Sequence, residues 1–234
     1  MVTKVLRFTD VKIICKYPTR NRPQQFLSTL KGWIDGAKNP DDISFLVSFD
    51  LDDPTMNHEI TSQAAKLHPK MIFAAGDSKT KIDAVNSDMN IVESYAWQVV
   101  LVVSDDMLCR RYGWDEIISQ KMTELYPDTD GVLWFHDNSR QRDIMTLSCI
   151  GRKYYQRDNY IYHKSYSSFF CDNEATEVAR MRGKITFIDK PIASHQHPSW
   201  QAGVKSDELY RRNNRYWAAD QENYHRRKSL GFPA

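Results

Sequence analysis

Two acidic runs stand directly behind apolar, β-rich segments. Asp50-Leu51-Asp52-Asp53 follows Ile43 to Phe49, and Ser104-Asp105-Asp106 follows the five aliphatic residues Val99 to Val103. Carboxylates crowded in this way repel one another unless a cation or hydrogen-bond donors join them. Hard divalent ions such as Mn²⁺ or Mg²⁺ take carboxylate oxygens and commonly add the phosphates of a ligand. The same acids could equally cap the helices that follow. A third pair, Asp172 and Glu174, sits in Cys171-Asp172-Asn173-Glu174. Asp172 suits a helix N-cap and Glu174 the first turn, where negative charge is favoured. The chemical alternative is a general base that takes a proton from a hydroxyl. His195-Gln196-His197-Pro198 adds two imidazoles. Side chains alternate in direction along an extended segment, so we expect one of the two, not both, to reach an ion beside Asp106. A loop histidine bonded to backbone is the other reading.

The elements that must hold these residues alternate between strand and helix. Val11 to Cys15 reads as a strand that ends at Tyr17-Pro18, and Pro23 suits the first turn of a helix, where its missing N–H is not needed. Phe26, Leu27, Leu30, Trp33, Ile34 and Ala37 follow at helical spacing. Further strands are expected at Ile43 to Phe49, Met71 to Ala74, Val99 to Val103, Val132 to Phe135 and Ile185 to Ile188. Further helices are expected at Asn57 to Leu67, Lys81 to Glu93, Trp114 to Leu125 and Asn173 to Met181. From Gln141 to Phe170 the pattern is irregular and rich in Tyr and Arg. This order implies an α/β fold with a mainly parallel central sheet and helices on both faces. In such sheets ligands bind beyond the carboxyl ends of the strands, which is where the first two acidic runs fall.

Composition narrows the class. The chain has 234 residues, 41% hydrophobic and 26% charged, with 32 basic against 30 acidic residues and a formal net charge of +2. Collagen-like, coiled-coil and wholly disordered chains are excluded, and the balance gives no general pull on polyanions. Cys15, Cys109, Cys149 and Cys171 form no CxxC pair, so neither a disulfide framework nor a zinc knuckle is indicated. No signal peptide is visible, and no apolar run approaches the roughly 20 residues of a transmembrane helix. A soluble, cytoplasmic protein is expected, with one domain over 1–200 and a basic, aromatic helical extension over 201–234 packed on it. That extension holds Lys205, Arg211, Arg212, Arg215, Arg226, Arg227 and Lys228 against Asp207, Glu208, Asp220 and Glu222, interleaved with Tyr210, Tyr216, Trp217 and Tyr224. The helices could be solvated and pack their aromatics inward, or they could meet an anion such as a diphosphate or a nucleic-acid acceptor.

Taken together, the segments resemble a GT-A-fold glycosyltransferase of the family 2-like type, over roughly residues 10 to 200. Ile13-Ile14-Cys15-Lys16-Tyr17-Pro18-Thr19-Arg20-Asn21-Arg22-Pro23 resembles its first strand and nucleotide loop. Leu46 to Asp53 resembles its second strand with an acidic end. Lys81-Ile82-Asp83-Ala84-Val85-Asn86 is similar to its Lys-x-x-Ala-x-Asn helix start, and Val102-Val103-Ser104-Asp105-Asp106 to its DXD metal motif. The resemblance implies that Pro18, Thr19, Arg20, Arg22, Asp50, Asp52, Lys81 and Asp105 contact the nucleotide donor. It implies that Asp106 and His197 hold Mn²⁺ or Mg²⁺, and that Asp172 or Glu174 is the base, with the helix alignment favouring Glu174. The expected reaction moves a sugar from a UDP-linked donor to a hydroxyl acceptor with inversion. The acceptor would be a saccharide, with a hydroxylated nucleic-acid base as a minority reading. Trp134, Tyr154, Tyr155 and Trp200 offer flat faces for sugars. Two positions depart from the family: Ser104 stands where DXD has its first acid, and Asp-x-Glu replaces Glu-Asp. A nucleotidyltransferase would want a Gly-rich loop after the first strand, and Pro18 to Pro23 contains no Gly. A non-catalytic nucleotide- or sugar-binding module is the remaining alternative. The oligomeric state is not legible in the sequence.

Overall fold

The first strand, β1 (Ile13–Thr19), is buried on both faces, as a central parallel strand must be. The computed structural model describes residues 11–137, 143–198, 203–204 and 206–232. β1 lies between β2 (Ile43–Asp50) and β4 (Val99–Val102), parallel to both, and β3 (Met71–Gly76) extends the sheet beyond β2. On the other side, β7 (Ser148–Gly151) runs antiparallel between β4 and β6 (Val132–Phe135), and β8 (Ile185–Ile188) pairs in parallel with β6. The order is therefore β3-β2-β1-β4-β7-β6-β8. A short antiparallel ribbon joins β5 (Met107–Cys109) to β9 (Ala193–His195).

Two cores flank the sheet. On one face Ile13, Cys15 and Tyr17 meet Phe26, Leu30 and Trp33 of α1 (Pro23–Asp35), Ile60 and Ala64 of α2 (His58–Ala65), and Trp114, Ile118 and Met122 of α4 (Trp114–Leu125). Each such fully buried side chain contributes about 1.5–3 kcal/mol. Two indoles also knit backbone here. Trp33 Nε1 donates to the Met107 carbonyl at 2.8 Å, and Trp114 Nε1 donates to the Trp33 carbonyl at 2.9 Å. On the other face Ile14, Leu46, Val100 and Ile150 meet α3 (Lys81–Asn86), α5 (Arg152–Asp158), α6 (Cys171–Met181) and Tyr224 of α8 (Trp217–Ser229). A shorter helix, α7 (Glu208–Asn214), precedes α8.

Three features differ from the sequence expectation. The helix expected over Lys81 to Glu93 stops at Asn86, and a 3₁₀ turn over Met89–Val92 follows. The break is fixed from below. Asp88 takes a left-handed conformation (φ 66°), and its carboxylate accepts from Ser48 Oγ at 2.6 Å and Ser87 Oγ at 2.9 Å. It stands 3.8 Å from the Lys16 ammonium, which is fully buried inside the sheet. Burial pulls that ammonium down to about 8, against the opposing pull of Asp88. Second, the Tyr- and Arg-rich stretch contains β7 and α5, joined at Gly151. A Cβ there would lie 2.1 Å from the Thr129 carbonyl oxygen, so only glycine fits. Third, β5 and β9 were not expected. The helices of the C-terminal segment are as expected, while Trp200 and Lys205 lie outside the described residues. Among the described residues, no helix is long and apolar enough to cross a membrane.

Candidate functional site

β1 has β2 on one side and β4 on the other, reached by crossovers in opposite directions, so a crevice opens at the carboxyl ends of β1 and β4. A cleft of about 830 Å³ occupies this place. Pro18, Thr19, Arg20, Arg22, Asp50, Lys81, Asp105, Asp106, Asp172 and His197 all line it. Asp52 and Glu174, also expected in the site, do not.

The two acids after β4 differ sharply. Asp105 is buried in the cleft wall, where Thr19 Oγ1 donates to its Oδ2 at 3.2 Å. Burial, reinforced by the charge of Asp106, pushes its carboxyl up to about 8. Asp106 also loses water, but His195 beside it, with Ser104 and Lys81, holds it well below the usual carboxylate range. Asp105 thus holds a proton far more readily than Asp106 does. Ser104, which replaces the first acid of the expected motif, donates its hydroxyl to Asp106 Oδ1.

Asp106 Oδ2 is the meeting point of several elements. Tyr210 Oη of α7 donates to it at 2.8 Å, His195 Nε2 lies 3.6 Å away, and Arg22 Nη1 3.9 Å. The ribbon β5–β9 produces the histidine contact by pairing Met107 with His195. His195 Nδ1 in turn lies 3.6 Å from the buried Asp137 carboxylate at the end of β6. Burial opposes charge on His195, but Asp106 outweighs it and raises the imidazole to about 9. Burial and the neighbouring His195 together pull His197 down to about 4. Both imidazoles line the cleft, with ring centroids 5.6 Å apart. The two rings therefore share one wall of the site, although only one was expected to reach an ion beside Asp106. Residues two apart on an extended chain return to the same face.

One oxygen of Asp106 and one imidazole nitrogen, on a cleft wall open to phosphate and water, suit a divalent ion that completes its shell from a ligand. They do not make a closed metal cage. Among the described residues no three His, Cys, Asp or Glu side chains gather to hold an ion.

The arginines are largely committed to carboxylates. Arg20 Nη1 donates to Asp50 Oδ2 at 2.6 Å, and Arg20 also grips the exposed Asp52, with Nη2 to Oδ2 at 3.1 Å. Asp52 thus stands outside the cleft and braces an arginine that lines it. Arg22 donates from Nε and Nη2 to Asp207 at 2.7 and 2.9 Å and stacks 4.4 Å from the Tyr210 ring centroid. Its fork is filled by the C-terminal segment. Lys81, first residue of α3, is exposed on the cleft and makes no ion pair among the described residues. The Asn of that Lys-x-x-Ala-x-Asn helix start, Asn86, serves the fold. It clamps the backbone of Ile161 and Tyr162 with bonds of 2.7 to 3.1 Å.

The first turn of α6 separates its two acids. Asp172 lines the cleft, partly buried, and burial raises its carboxyl above the ordinary range. Glu174, 3% exposed, faces the opposite way. It accepts two bonds from Arg227, at 2.7 and 2.6 Å, and one from Tyr166 Oη at 2.7 Å. Of the aromatics expected to meet sugars, Trp134 and Tyr154 are buried, and Tyr155 packs edge-on against Trp97. Phe169, Phe170, Tyr210 and Trp217 line the cleft in their place. Asp137 and Tyr210 carried no site role in the sequence. The polar His136-Asp137 after an apolar strand was the available signal for the first, and nothing local marks the second.

No family model and no curated protein matches the chain. Solved structures do. A mannosyltransferase from Pyrobaculum calidifontis, PcManGT, in complex with GDP-Man and Mn²⁺, matches with TM-score 0.61 and 15% identity, covering 83% of this chain and 58% of that one. S. aureus TarS in complex with UDP-GlcNAc matches with TM-score 0.62 and 15% identity, covering 90% and 66%. A Drosophila beta-1,4-galactosyltransferase 7 mutant with manganese, UDP-Gal and xylobiose matches with TM-score 0.53 and 13% identity, covering 87% and 79%. The chain therefore spans less than two thirds of the length of the first two. Identities this low speak to architecture alone, and on that level the answer is plain: the chain carries a GT-A-type α/β fold.

Proposed function

We propose that the protein is a metal-dependent glycosyltransferase. It would move a sugar from a nucleoside-diphosphate donor, UDP-linked, to a hydroxyl acceptor with inversion at the anomeric carbon. The observation that carries this reading is the convergence of Asp106, His195, His197 and Asp172 on one cleft beyond the ends of β1 and β4. The matched structures with GDP-Man, UDP-GlcNAc and UDP-Gal support a sugar nucleotide as ligand class, and two of them contain Mn²⁺ or manganese.

On this reading Pro18, Thr19, Arg20 and Asp50 line the base and ribose side, and Asp105 contacts the ribose. Asp106, with the neutral imidazole of His197, would hold Mn²⁺ or Mg²⁺. Such an ion supplies neutralisation of the charge that builds on the diphosphate as it leaves. Lys81 contributes a second positive charge to the same cleft. The Asp172 carboxylate takes the proton of the acceptor hydroxyl as its oxygen bonds to the anomeric carbon. The carbon–oxygen bond to the diphosphate breaks with its electron pair on the leaving group. A carboxyl raised by burial is a better base when ionised. Arg22 acts as the anchor of α7.

The test is a thermal-shift series with UDP, GDP and their sugars, with and without Mn²⁺. Ligand that binds only the folded state raises its stability in step with concentration over Kd. A metal-dependent shift with at least one nucleoside diphosphate is expected. If none shifts the transition in either condition, the reading fails.

A further inference from the structure

Asn213, Asn214 and Trp217 of the C-terminal helices line the cleft and have no role in the donor reading. Trp217, first residue of α8, is 50% exposed and lines the cleft. It is held from behind by Phe169 and Phe170, with ring centroids at 4.9 and 5.0 Å and ring planes 64° and 63° apart. The mount is rigid. Asp220, 2% exposed, accepts the backbone N–H groups of Ser167, Ser168 and Phe169 at 2.9, 2.8 and 2.8 Å. Around the ring, Asn173, Asn213 and Asn214 line the same cleft, and their side-chain amides make no hydrogen bond among the described residues.

We propose that this wall is the acceptor subsite and that its ligand is a saccharide; the proposal rests on the glycosyltransferase reading above. A pyranose presents C–H bonds on its faces and hydroxyls around its rim. An exposed indole matches the face. Carboxamides, each both donor and acceptor, match hydroxyls, which are also both. Asp172 stands on the same side of the cleft, one residue from Asn173, so a stacked sugar can turn a hydroxyl to it. A cleft of about 830 Å³ lies near the upper end of small-molecule sites, roughly 300–1,000 Å³. It has room for an acceptor ring beside a nucleotide.

Charge argues against the nucleic-acid alternative. A strand bound by stacking also wants a cationic groove along its backbone. Of the described basic residues in the C-terminal segment only Arg212 lines the cleft. Arg227 is buried on Glu174, and Lys228 pairs with Glu177 at 2.7 Å.

Saturation-transfer NMR on the whole protein tests the assignment, with cellobiose, maltose, chitobiose and mannobiose, and a single-stranded oligonucleotide in parallel, each with and without UDP and Mn²⁺. At least one disaccharide is expected to bind. Trp217→Ala should weaken it about tenfold, Trp217→Tyr should retain most of the binding, and the double variant Asn213→Ala with Asn214→Ala should weaken it several-fold without disturbing the core. Circular dichroism melts check that each variant folds. The proposal is overturned if no disaccharide binds, if binding survives both Trp217→Ala and the double variant, or if the oligonucleotide binds in their place. Absence of nucleotide binding alongside Trp217-dependent saccharide binding would strike the donor reading, and with it the acceptor role, and leave a saccharide site on this wall.

Discussion

Asp172 and Glu174 occupy the same helical turn, have the same chemistry and face opposite environments. With 3.6 residues per turn, positions two apart lie nearly on opposite sides of a helix. One side of α6 borders the cleft, and the other packs on α8. Glu174 is held by the Arg227 fork and the Tyr166 phenol, three bonds shared over both its oxygens. Asp172 spends one oxygen on the Asn173 N–H at 3.0 Å and lines the cleft. A general base needs a lone pair that meets the substrate, so a residue's register on its helix decides its role before its acidity does.

That contrast can be broken in three places. The largest effect is expected from Asp172→Asn. Transfer should fall by about 10²–10⁴-fold, the usual worth of a positioned base, while nucleotide-induced thermal shifts persist. In the unmodified protein the acid limb of the transfer profile should lie above the ordinary carboxylate range, because Asp172 is raised by burial and must be ionised to act. Retained transfer in Asp172→Asn would remove it as the base. Next comes Glu174→Gln, which leaves Arg227 buried without its counter-charge. Breaking such a pair costs about 3 kcal/mol or more, read as a fall of about 6–12 °C in Tm for a chain of this size. Nucleotide binding below the transition should survive. A loss of transfer without a loss of stability would reverse the comparison between the two acids. The smallest effect belongs to Tyr210→Phe, which removes the phenol from Asp106 Oδ2. If that oxygen is the one a divalent ion takes, Mn²⁺ should bind about fivefold more tightly, following the ~1 kcal/mol net worth of one hydrogen bond. Titration of free Mn²⁺ by electron paramagnetic resonance reads this directly. Unchanged affinity would mean the phenol and the ion do not compete.

Much of the frame was legible because its signals are local. Trp114–Leu125, Val132–Phe135 and Ile185–Ile188 begin and end where their hydrophobic patterns do. The acids at the ends of β2 and β4 could be placed because apolar runs lead straight into them. The rest depends on partners far away in the chain. β5 and β9 have three residues each, too few for a period, and exist only because they pair. The end of α3 is set by a buried Lys16 from β1, and the antiparallel run of β7 by neighbours on either side. Tyr210 meets Asp106 across 104 positions and Arg22 meets Asp207 across 185. Sequence spacing alone holds no record of such contacts. Both acids of α6 fitted the base role on paper, and only the packing of α8 distinguishes them.

The Arg22–Asp207 pair and the grip of Asp220 on the Ser167–Phe169 backbone also order events in time. A nascent chain that has emerged only through residue 200 already holds every acid of the cleft. Yet Arg22 then lacks Asp207, the turn before α6 lacks Asp220 and Asp106 lacks its phenol. Closure over sequence separations this long is slow, because chain entropy must be overcome before the contact forms. The chemistry-bearing centre should therefore be among the last parts of the molecule to acquire its final shape during synthesis, well after the sheet that carries it.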